Sequence, residues 1–399
     1  MKKIRIFLAG ATGSIGRQTL EIARKFPEKF EIVGFSVFSK IEKLAEIVAK
    51  FPVKSVQIFD GKSATKFQKK FPKIEVFSGT RGEIEILKNC DFDLLLNSIV
   101  GAAGVAPTIC AAKMGKKIAL ANKESLVCRG EEIQKIAAKT GAQILPVDSE
   151  HSAIWQSLRG NFRHPRTFCH PRESGDPVGE NFSSADSRLR GNDKYNNLTP
   201  GISIENVRKI WLTCSGGPFA DAEKFPVTNF KKMKPADALA HPNWKMGAKI
   251  SIDSATLMNK AFELIEAVRL FEIPPEKVEV VLHRQSILHS AVEFTDGNFV
   301  GVFGAPKMEH AISAALFYPD RAPSNSAGFS LFGKNLTFEK IDETRFPSLK
   351  FARRALKLGE NFCEKMCLAN DAAVADFLAE KISFADIFKK VAAVFPEEN

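Results

Sequence analysis

Asp148, Ser149 and Glu150 directly follow an apolar run at 143–147, and two carboxylates this close in the chain can converge on one ligand. Residues two apart in an extended chain point the same way, so the pair is placed to face one cation at a sheet edge. Hard oxygen donors suit Mg²⁺ or Mn²⁺ rather than a structural zinc. The competing reading is a helix cap, with Asp148 or Ser149 closing the start of a helix through Ile154. A second cluster stands at 253–266. There Asp253 or Ser254 is a natural N-cap, and at about 100° per residue Leu257, Ala261, Leu264, Ile265 and Val268 form one apolar stripe. Asn259, Lys260 and Glu263 share a separate arc. Two readings of that arc stay open. One is a solvated face with a lysine–glutamate pair three residues apart. The other is the wall of an active site, with Glu263 as a third metal ligand and Asn259 and Lys260 reaching a phosphate.

Glycines 10, 13 and 16 follow the first strand-like run and open a helix-like one. Such glycines let the backbone approach a pyrophosphate, whose charge is met by N–H groups at a helix start. The spacing is G-x-x-G-x-x-G rather than the commoner G-x-G-x-x-G. An NAD site places an acid about 20 residues on, at the end of the second strand, to hold the ribose. Here that stretch is Ser36-Val37-Phe38-Ser39-Lys40, with no acid, and the hydroxyl of Ser39 and the cation of Lys40 suit a 2′-phosphate. NADP is favoured over NAD. Ser215-Gly216-Gly217-Pro218 after another strand-like run can offer a hydroxyl and N–H groups to an anion, or merely reverse the chain. Residues 241–247, from His241 through Trp244 and Met246 to Gly247, read as a closing lid, or else as a loop with its Trp tucked into the core.

Elements must hold these groups in place. Strand-like runs at 3–9, 30–36, 55–59, 74–77, 93–99, 117–120 and 143–147 alternate with helical spacing at 15–25, 41–50, 64–70, 106–114 and 130–140. That alternation predicts an α/β, doubly wound parallel sheet. Strand-like and helical segments then mix until about 310, and helical periodicity dominates 349–396. Residues 159–199 differ: rich in Arg, Gly, Asn, Ser and Pro, with no apolar period, they read as a surface loop or insertion. A nucleic-acid-binding arm is the sharper alternative, but seven basic residues there stand against five acidic ones.

The whole chain has 399 residues and net charge +11. The lysines are scattered rather than blocked, so the charge permits gathering of phosphorylated substrates but does not single out a nucleic acid. No run of about 18 apolar residues exists, which predicts no membrane helix. The N-terminus briefly imitates a secretory leader, but Arg5 interrupts it. Seven cysteines without a C-x-x-C pair fit reduced thiols in a cytoplasmic protein.

Together the segments resemble the 1-deoxy-D-xylulose 5-phosphate reductoisomerase family of the non-mevalonate isoprenoid pathway. The strings that carry the resemblance are GATGSIG (10–16), SIVGAAG (98–104), LANKESLV (120–127), ILPVDSEHSAIWQS (144–157), LTCSGGPF (212–219), HPNWKMGAKISIDSATLMNKAFELIEA (241–267), QSILHS (285–290) and LAND (368–371). They run over nearly the whole chain except 159–199. The resemblance implies a Rossmann-like NADPH-binding domain at 1–147 and a second α/β catalytic domain with a lid loop at 148–317. A linker at 318–345 and a small C-terminal helical domain at 346–399 would follow. It implies that Asp148, Glu150 and Glu263 hold Mg²⁺ or Mn²⁺. Ser215, Ser254, Asn259 and Lys260 would bind the phosphate, with His241 beside it. Ser149 and Lys123 would contact the substrate's oxygens, and Trp244 and Met246 would belong to the lid. Thr12, Gly13, Ser14, Ile15, Asn122 and Glu124 would line the NADPH site, with Gly247 near the nicotinamide. The reaction implied is rearrangement of a small sugar phosphate by retro-aldol and aldol steps, then reduction by NADPH, in a homodimer that binds neither nucleic acid nor membrane.

Two departures stand out. The family's second strand ends in a Ser-Ala-Gly-x-Asn-like turn where this chain has 36–40, and its His-Pro-Gln-Ser is here His283-Arg284-Gln285-Ser286. A metal-independent NADP-dependent dehydrogenase of another phosphorylated substrate, and a nucleotide-binding protein inactivated by the insertion, are the alternatives.

Overall fold

The fold was obtained as a computed structural model, which describes residues 2–159, 198–240, 246–323 and 329–397. Most of the segment at 159–199, together with His241 and Trp244, lies outside the described residues.

Seven strands form the first sheet: β1 (Ile4–Ala9), β2 (Phe30–Val37), β3 (Ser55–Ile58), β4 (Glu75–Ser78), β5 (Leu94–Asn97), β6 (Lys117–Leu120) and β7 (Gln143–Pro146). Their order is β4-β3-β2-β1-β5-β6-β7, and every neighbouring pair is parallel. Parallel strands covered on both faces need continuous apolar runs, and Leu94, Leu95 and Leu96 are accordingly all buried. The connecting helices are α1 (Ser14–Lys25), α2 (Ile41–Lys50), α3 (Gly61–Lys70), α4 (Gly79–Asn89), α5 (Val105–Lys113), α6 (Lys123–Thr140) and α7 (Ser149–Leu158). The expected doubly wound sheet is present. Helix α4 was not expected, and α6 starts earlier than its period suggested because Asn122 caps it, accepting a bond from Ser125 N at 2.9 Å.

The strand order reverses between β1 and β5, and such a switch point is where ligands enter an open α/β sheet. Gly10 ends β1 there with φ +84°, and a Cβ on it would come within 2.7 Å of Ser98 Oγ after β5. Only glycine fits.

The second sheet is mixed: β8 (Val207–Cys214), β9 (Val278–Leu282), β10 (Leu288–Phe294), β11 (Phe299–Phe303) and β12 (Glu339–Lys340), in the order β11-β10-β8-β9-β12. Between β8 and β9 the chain forms α8 (Pro235–Leu239), α9 (Ala248–Ala255) and α10 (Met258–Phe271). Later come α11 (Met308–Leu316), α12 (Ser348–Leu358), α13 (Glu360–Leu378) and α14 (Phe384–Ala392).

The segment read as one helix capped by Asp253 or Ser254 is two. Both residues lie in the last turn of α9, and α10 starts after Leu257, whose φ of +58° breaks the backbone. Leu257, Ala261, Leu264 and Ile265 are buried as the stripe predicted, and Val268, its fifth member, is half-buried. Helix α10 packs against α6, α9 and α12, so the helix carrying Glu263 lies between the two halves of the chain. Phe219, Phe230, Phe377 and Phe384 form a second apolar cluster, which fastens the chain after Gly217 to α13 and α14.

Candidate active site

A cavity of about 1020 Å³ lies at the switch point, lined by the glycine turn, the starts of α6 and α7, the Ser215–Gly216 turn, α9 and the start of α10. On its floor, Asp148, Glu150 and Glu263 each present a carboxylate oxygen, all within 4.8 Å of one another.

Local structure explains the convergence, though not by the extended-chain argument. Asp148 occupies the N-cap position of α7 yet makes no side-chain cap bond, while Glu150 already sits in that helix's first turn. Both sequence readings therefore describe part of the geometry: the backbone caps a helix, and the side chain turns instead to Lys123 Nζ. Glu263 comes from α10 and is 1% exposed; Lys260, one turn earlier, is 3% exposed, so the solvated-face reading fails. His151 pins the two helices together with a bond between its Nε2 and the backbone oxygen of Glu263 at 2.9 Å.

Two ammonium groups balance the three acids. Lys260 Nζ donates to Glu150 Oε1 at 2.8 Å, to Thr213 O at 2.7 Å and to Glu263. Lys123 Nζ bonds Asp148 and stands 3.2 Å from Glu263 Oε1. Burial alone would push the Glu150 carboxyl up, but Lys260 and Lys123, with a bond from Ser149, bring it down to about 2. Glu150 is thus ionised at neutral pH although enclosed. Asn259 Nδ2 donates to Glu263 Oε1 at 2.6 Å and Ser149 Oγ to Glu150 Oε2 at 2.6 Å, which orients both acids. An all-oxygen, anionic donor set fits a hard dication.

The anion-side turn is built by close approach. Gly216 and Gly217 have φ of +85° and +68°, and a Cβ on Gly217 would lie 2.6 Å from the backbone oxygen of Ser254. That contact brings Ser215 and Ser254 to one cavity wall, beside Asn259 and Lys260. Met246 and Gly247 line the cavity at the N-terminus of α9.

Thr12, Gly13, Ser14 and Ile15 line the opposite side, where α1 starts with no acidic residue in its first turn. Lys40 lines the cavity and is exposed; Ser39 does not line it, being half-buried at the turn into α2. Asn122 does not line it either. Its side chain is spent on capping α6 and on Ile99 O and Gly101 O, at 2.8 and 2.9 Å, so it shapes the loop after β5 instead. Glu124 lines the cavity but is 5% exposed and pairs with Lys249 at 3.2 Å.

Sequence reasoning missed several lining residues: Arg17 and Lys43 near Lys40, and Lys249, Ser286 and His289. Burial pushes the His289 imidazole down from its ordinary value, against the opposing pull of Glu150. His283 lines the cavity yet is fully buried, accepting at Nε2 from Ile287 N and Leu288 N, each 3.1 Å, with Nδ1 3.0 Å from Thr337 O. Those bonds assign one neutral tautomer. The departure at Arg284 does not line the cavity, and its guanidinium grips Glu339 on β12 at 2.9 and 3.0 Å. The departure at 36–40 leaves Phe38 67% exposed, stacked on Phe59 with centroids 5.4 Å apart.

A glycine turn at the switch point, sharing one cavity with three acids that could hold a cation, has the arrangement of a nucleotide-binding α/β protein suited to a metal-assisted reaction. Comparison with known proteins gives the family. Three family models match: 1-deoxy-D-xylulose 5-phosphate reductoisomerase over residues 6–130, its C-terminal domain over 195–271, and a DXP reductoisomerase C-terminal domain over 303–399. A 1-deoxy-D-xylulose 5-phosphate reductoisomerase of Thermodesulfovibrio yellowstonii is 39% identical over 396 residues, covering 99% of this chain and 92% of the relative. One of Chlorobium chlorochromatii is 41% identical over 383 residues, 95% of this chain and 89% of the relative. A crystal structure of DOX-P reductoisomerase in complex with NADPH, fosmidomycin and magnesium superposes with a TM-score of 0.84 at 37% identity, covering 98% of this chain and 88% of that one. The enzyme from Zymomonas mobilis in complex with NADPH gives 0.80 at 32% identity, covering 98% and 91%. The chain belongs to the 1-deoxy-D-xylulose 5-phosphate reductoisomerase family.

Proposed function

We propose that this protein converts 1-deoxy-D-xylulose 5-phosphate to 2-C-methyl-D-erythritol 4-phosphate, using NADPH and Mg²⁺ or Mn²⁺. The observation that carries the reading is the meeting of Asp148, Glu150 and Glu263 within 4.8 Å, in a cavity shared with the glycine turn. These three side chains hold the cation; when bound, it supplies Lewis-acid stabilisation of charge on the substrate's oxygens, and NADPH supplies the hydride.

The chain's own groups divide the remaining work. Ser215, Ser254, Asn259 and Lys260 meet the phosphate, with His241 beside it. Fixing that end, remote from the reacting carbons, provides binding energy that orients them. Ser149 and Lys123 contact the substrate's oxygens. Lys123 also holds Asp148, so the position of the acid and the charge offered to substrate are set together. Met246 lines the cavity, and exclusion of water there would strengthen every electrostatic contact inside; Trp244, the other residue read as part of a lid, lies outside the described residues. Thr12, Gly13, Ser14 and Ile15 would hold the cofactor together with Glu124 and Gly247, and Lys40 would meet its 2′-phosphate.

The chain divides at 147 and 317 into cofactor and catalytic domains, with a linker at 318–345 and a helical tail. It works as a cytoplasmic homodimer. Support for the dimer is the edge strand β11, where Phe299, Val300 and Phe303 are 59%, 42% and 48% exposed. No helix among the described residues is long and apolar enough to cross a membrane.

The test is a spectrophotometric assay of NADPH oxidation with 1-deoxy-D-xylulose 5-phosphate, with Mg²⁺, with Mn²⁺ and with EDTA. Turnover with either metal that EDTA abolishes is expected. EDTA-insensitive turnover, or none under any condition, refutes the proposal.

A further inference from the structure

Lys249 stands in the first turn of α9, two residues beyond Gly247. Its Nζ lies 2.8 Å from Asp253 Oδ2, 3.2 Å from Glu124 Oε1 and 3.1 Å from Asp371 Oδ1. Those acids belong to α9, to the start of α6 and to the middle of α13, so one ammonium joins three separate elements. It also stands 5.0 Å from the ring centroid of Phe262 on α10, next to Glu263 in sequence.

The ring of acids is itself tethered. Asn370 Nδ2 on α13 donates to Asp253 Oδ1 at 2.7 Å. Asn122 Nδ2 reaches Glu124 Oε2 at 2.8 Å and, at 2.8 and 2.9 Å, the carbonyls of Ile99 and Gly101 after β5. A continuous run of polar contacts therefore leads from the loop at the switch point, through Lys249, to the C-terminal helices.

An inert ion cluster would be the plainer explanation, but two facts weigh against it. Lys249 lines the cavity, which an inert cluster has no need to do. And α9 has only eight residues, with Lys249 near one end and Ser254 near the other, so whatever fixes the first fixes the second. Glu124 and Asp253 are 5% and 2% exposed. Buried acids without a partner are costly, so the three acids hold Lys249 in place as firmly as it holds them.

We infer that Lys249 is a positioning residue: it locks α9, and Ser254 with it, in register with the cofactor half of the cavity. The residues that would hold the substrate's phosphate and those that would hold the cofactor are thereby kept at one spacing. This rests on reading Ser254 as a phosphate contact.

The experiment is steady-state kinetics of the full chain with Mg²⁺, comparing K249M, K249R and S254A with the unaltered protein. A misplacement of about 1 Å costs on the order of 100-fold. K249M is therefore expected to raise KM for the sugar phosphate about tenfold and to lower kcat about tenfold, with KM for NADPH changed less than about threefold. K249R, which keeps the charge, recovers most of both. A purely structural role would lower Tm and the active fraction and leave KM for the sugar phosphate unmoved, which overturns the inference. If K249M does not fold, N370A decides, because it removes a tether and keeps every charge: a KM raised about threefold supports the lock, and an unchanged KM overturns it. S254A separates the two readings. Unchanged KM in S254A refutes the phosphate assignment, whereas raised KM in S254A with unchanged KM in K249M refutes only the lock.

Discussion

Two enclosed glutamates of this protein are treated in opposite ways. Glu150, on the floor of the cavity, is brought down to about 2 by Lys260 and Lys123 despite its burial. Glu83, on α4 of the first sheet, is 5% exposed, and burial pushes it up to about 7. Desolvation acts on both; the two ammonium groups, with the bond from Ser149, act on Glu150 alone. The lesson is that burial by itself would disarm Glu150, and that Lys260 and Lys123 are what keep it ionised and available to a cation at neutral pH.

The largest expected effect comes from breaking the compensated set. Glu150→Gln removes a charge from the three-acid group while keeping its shape. Stabilisation of substrate charge by a bound dication is worth several kcal/mol, so kcat should fall by about 10³-fold or more. The glycine turn is untouched, and NADPH affinity measured by fluorescence titration should stay within about threefold of the unaltered protein. Near-normal turnover in this variant would remove Glu150 from the metal site.

How far the sequence could lead is visible in the same residues. The alternation of apolar runs was enough for the parallel sheet, because strands covered on both faces must be apolar throughout. The acids at 148, 150 and 263 were legible as candidates from residue type and spacing, and strongly so once the resemblance was in view. Their mode of convergence was not. Leu257 adopts a left-handed backbone that no period reveals, so two helices read as one. Lys249 was illegible for a different reason: its partners Glu124, Asp253 and Asp371 are brought together only by the packing of α6, α9 and α13. Asn122 was read as a cofactor contact, and its side chain caps α6, a role that the same residue type serves and that the family strings did not reveal.

A smaller effect is expected at the exposed rim, where charges face water rather than one another. Lys40, Lys43 and Arg17 line the cofactor side of the cavity and all three are exposed. An exposed ionic contact is worth about 1 kcal/mol or less, and reversing the charge both removes attraction and adds repulsion. Lys40→Glu should therefore raise KM for NADPH about tenfold, with little change in KM for the sugar phosphate or in kcat at saturation. Raising ionic strength should weaken NADPH binding in the unaltered protein more than in the variant. A KM for NADPH that does not move would place the 2′-phosphate elsewhere, with Lys43 and Arg17 the next residues to alter.

The smallest effect, and the sharpest check on the comparison, concerns Glu83 and stability rather than turnover. Its folded value of about 7 lies above the ordinary 4.5, so between these limits the folded protein holds a proton that the unfolded chain has released. Stability must then fall as pH rises from about 4.5 to about 7 and stay reduced above that. Glu83→Gln cannot ionise and escapes this loss. At pH 4 the variant and the unaltered protein should melt at nearly the same temperature. By pH 8 the variant should be more stable by about 1–3 kcal/mol, the upper figure following from the size of the shift. Melting followed by circular dichroism at the two pH values measures the difference. If the gap between the two proteins is the same at both, Glu83 is ionised through contact with water, and burial is not what separates it from Glu150.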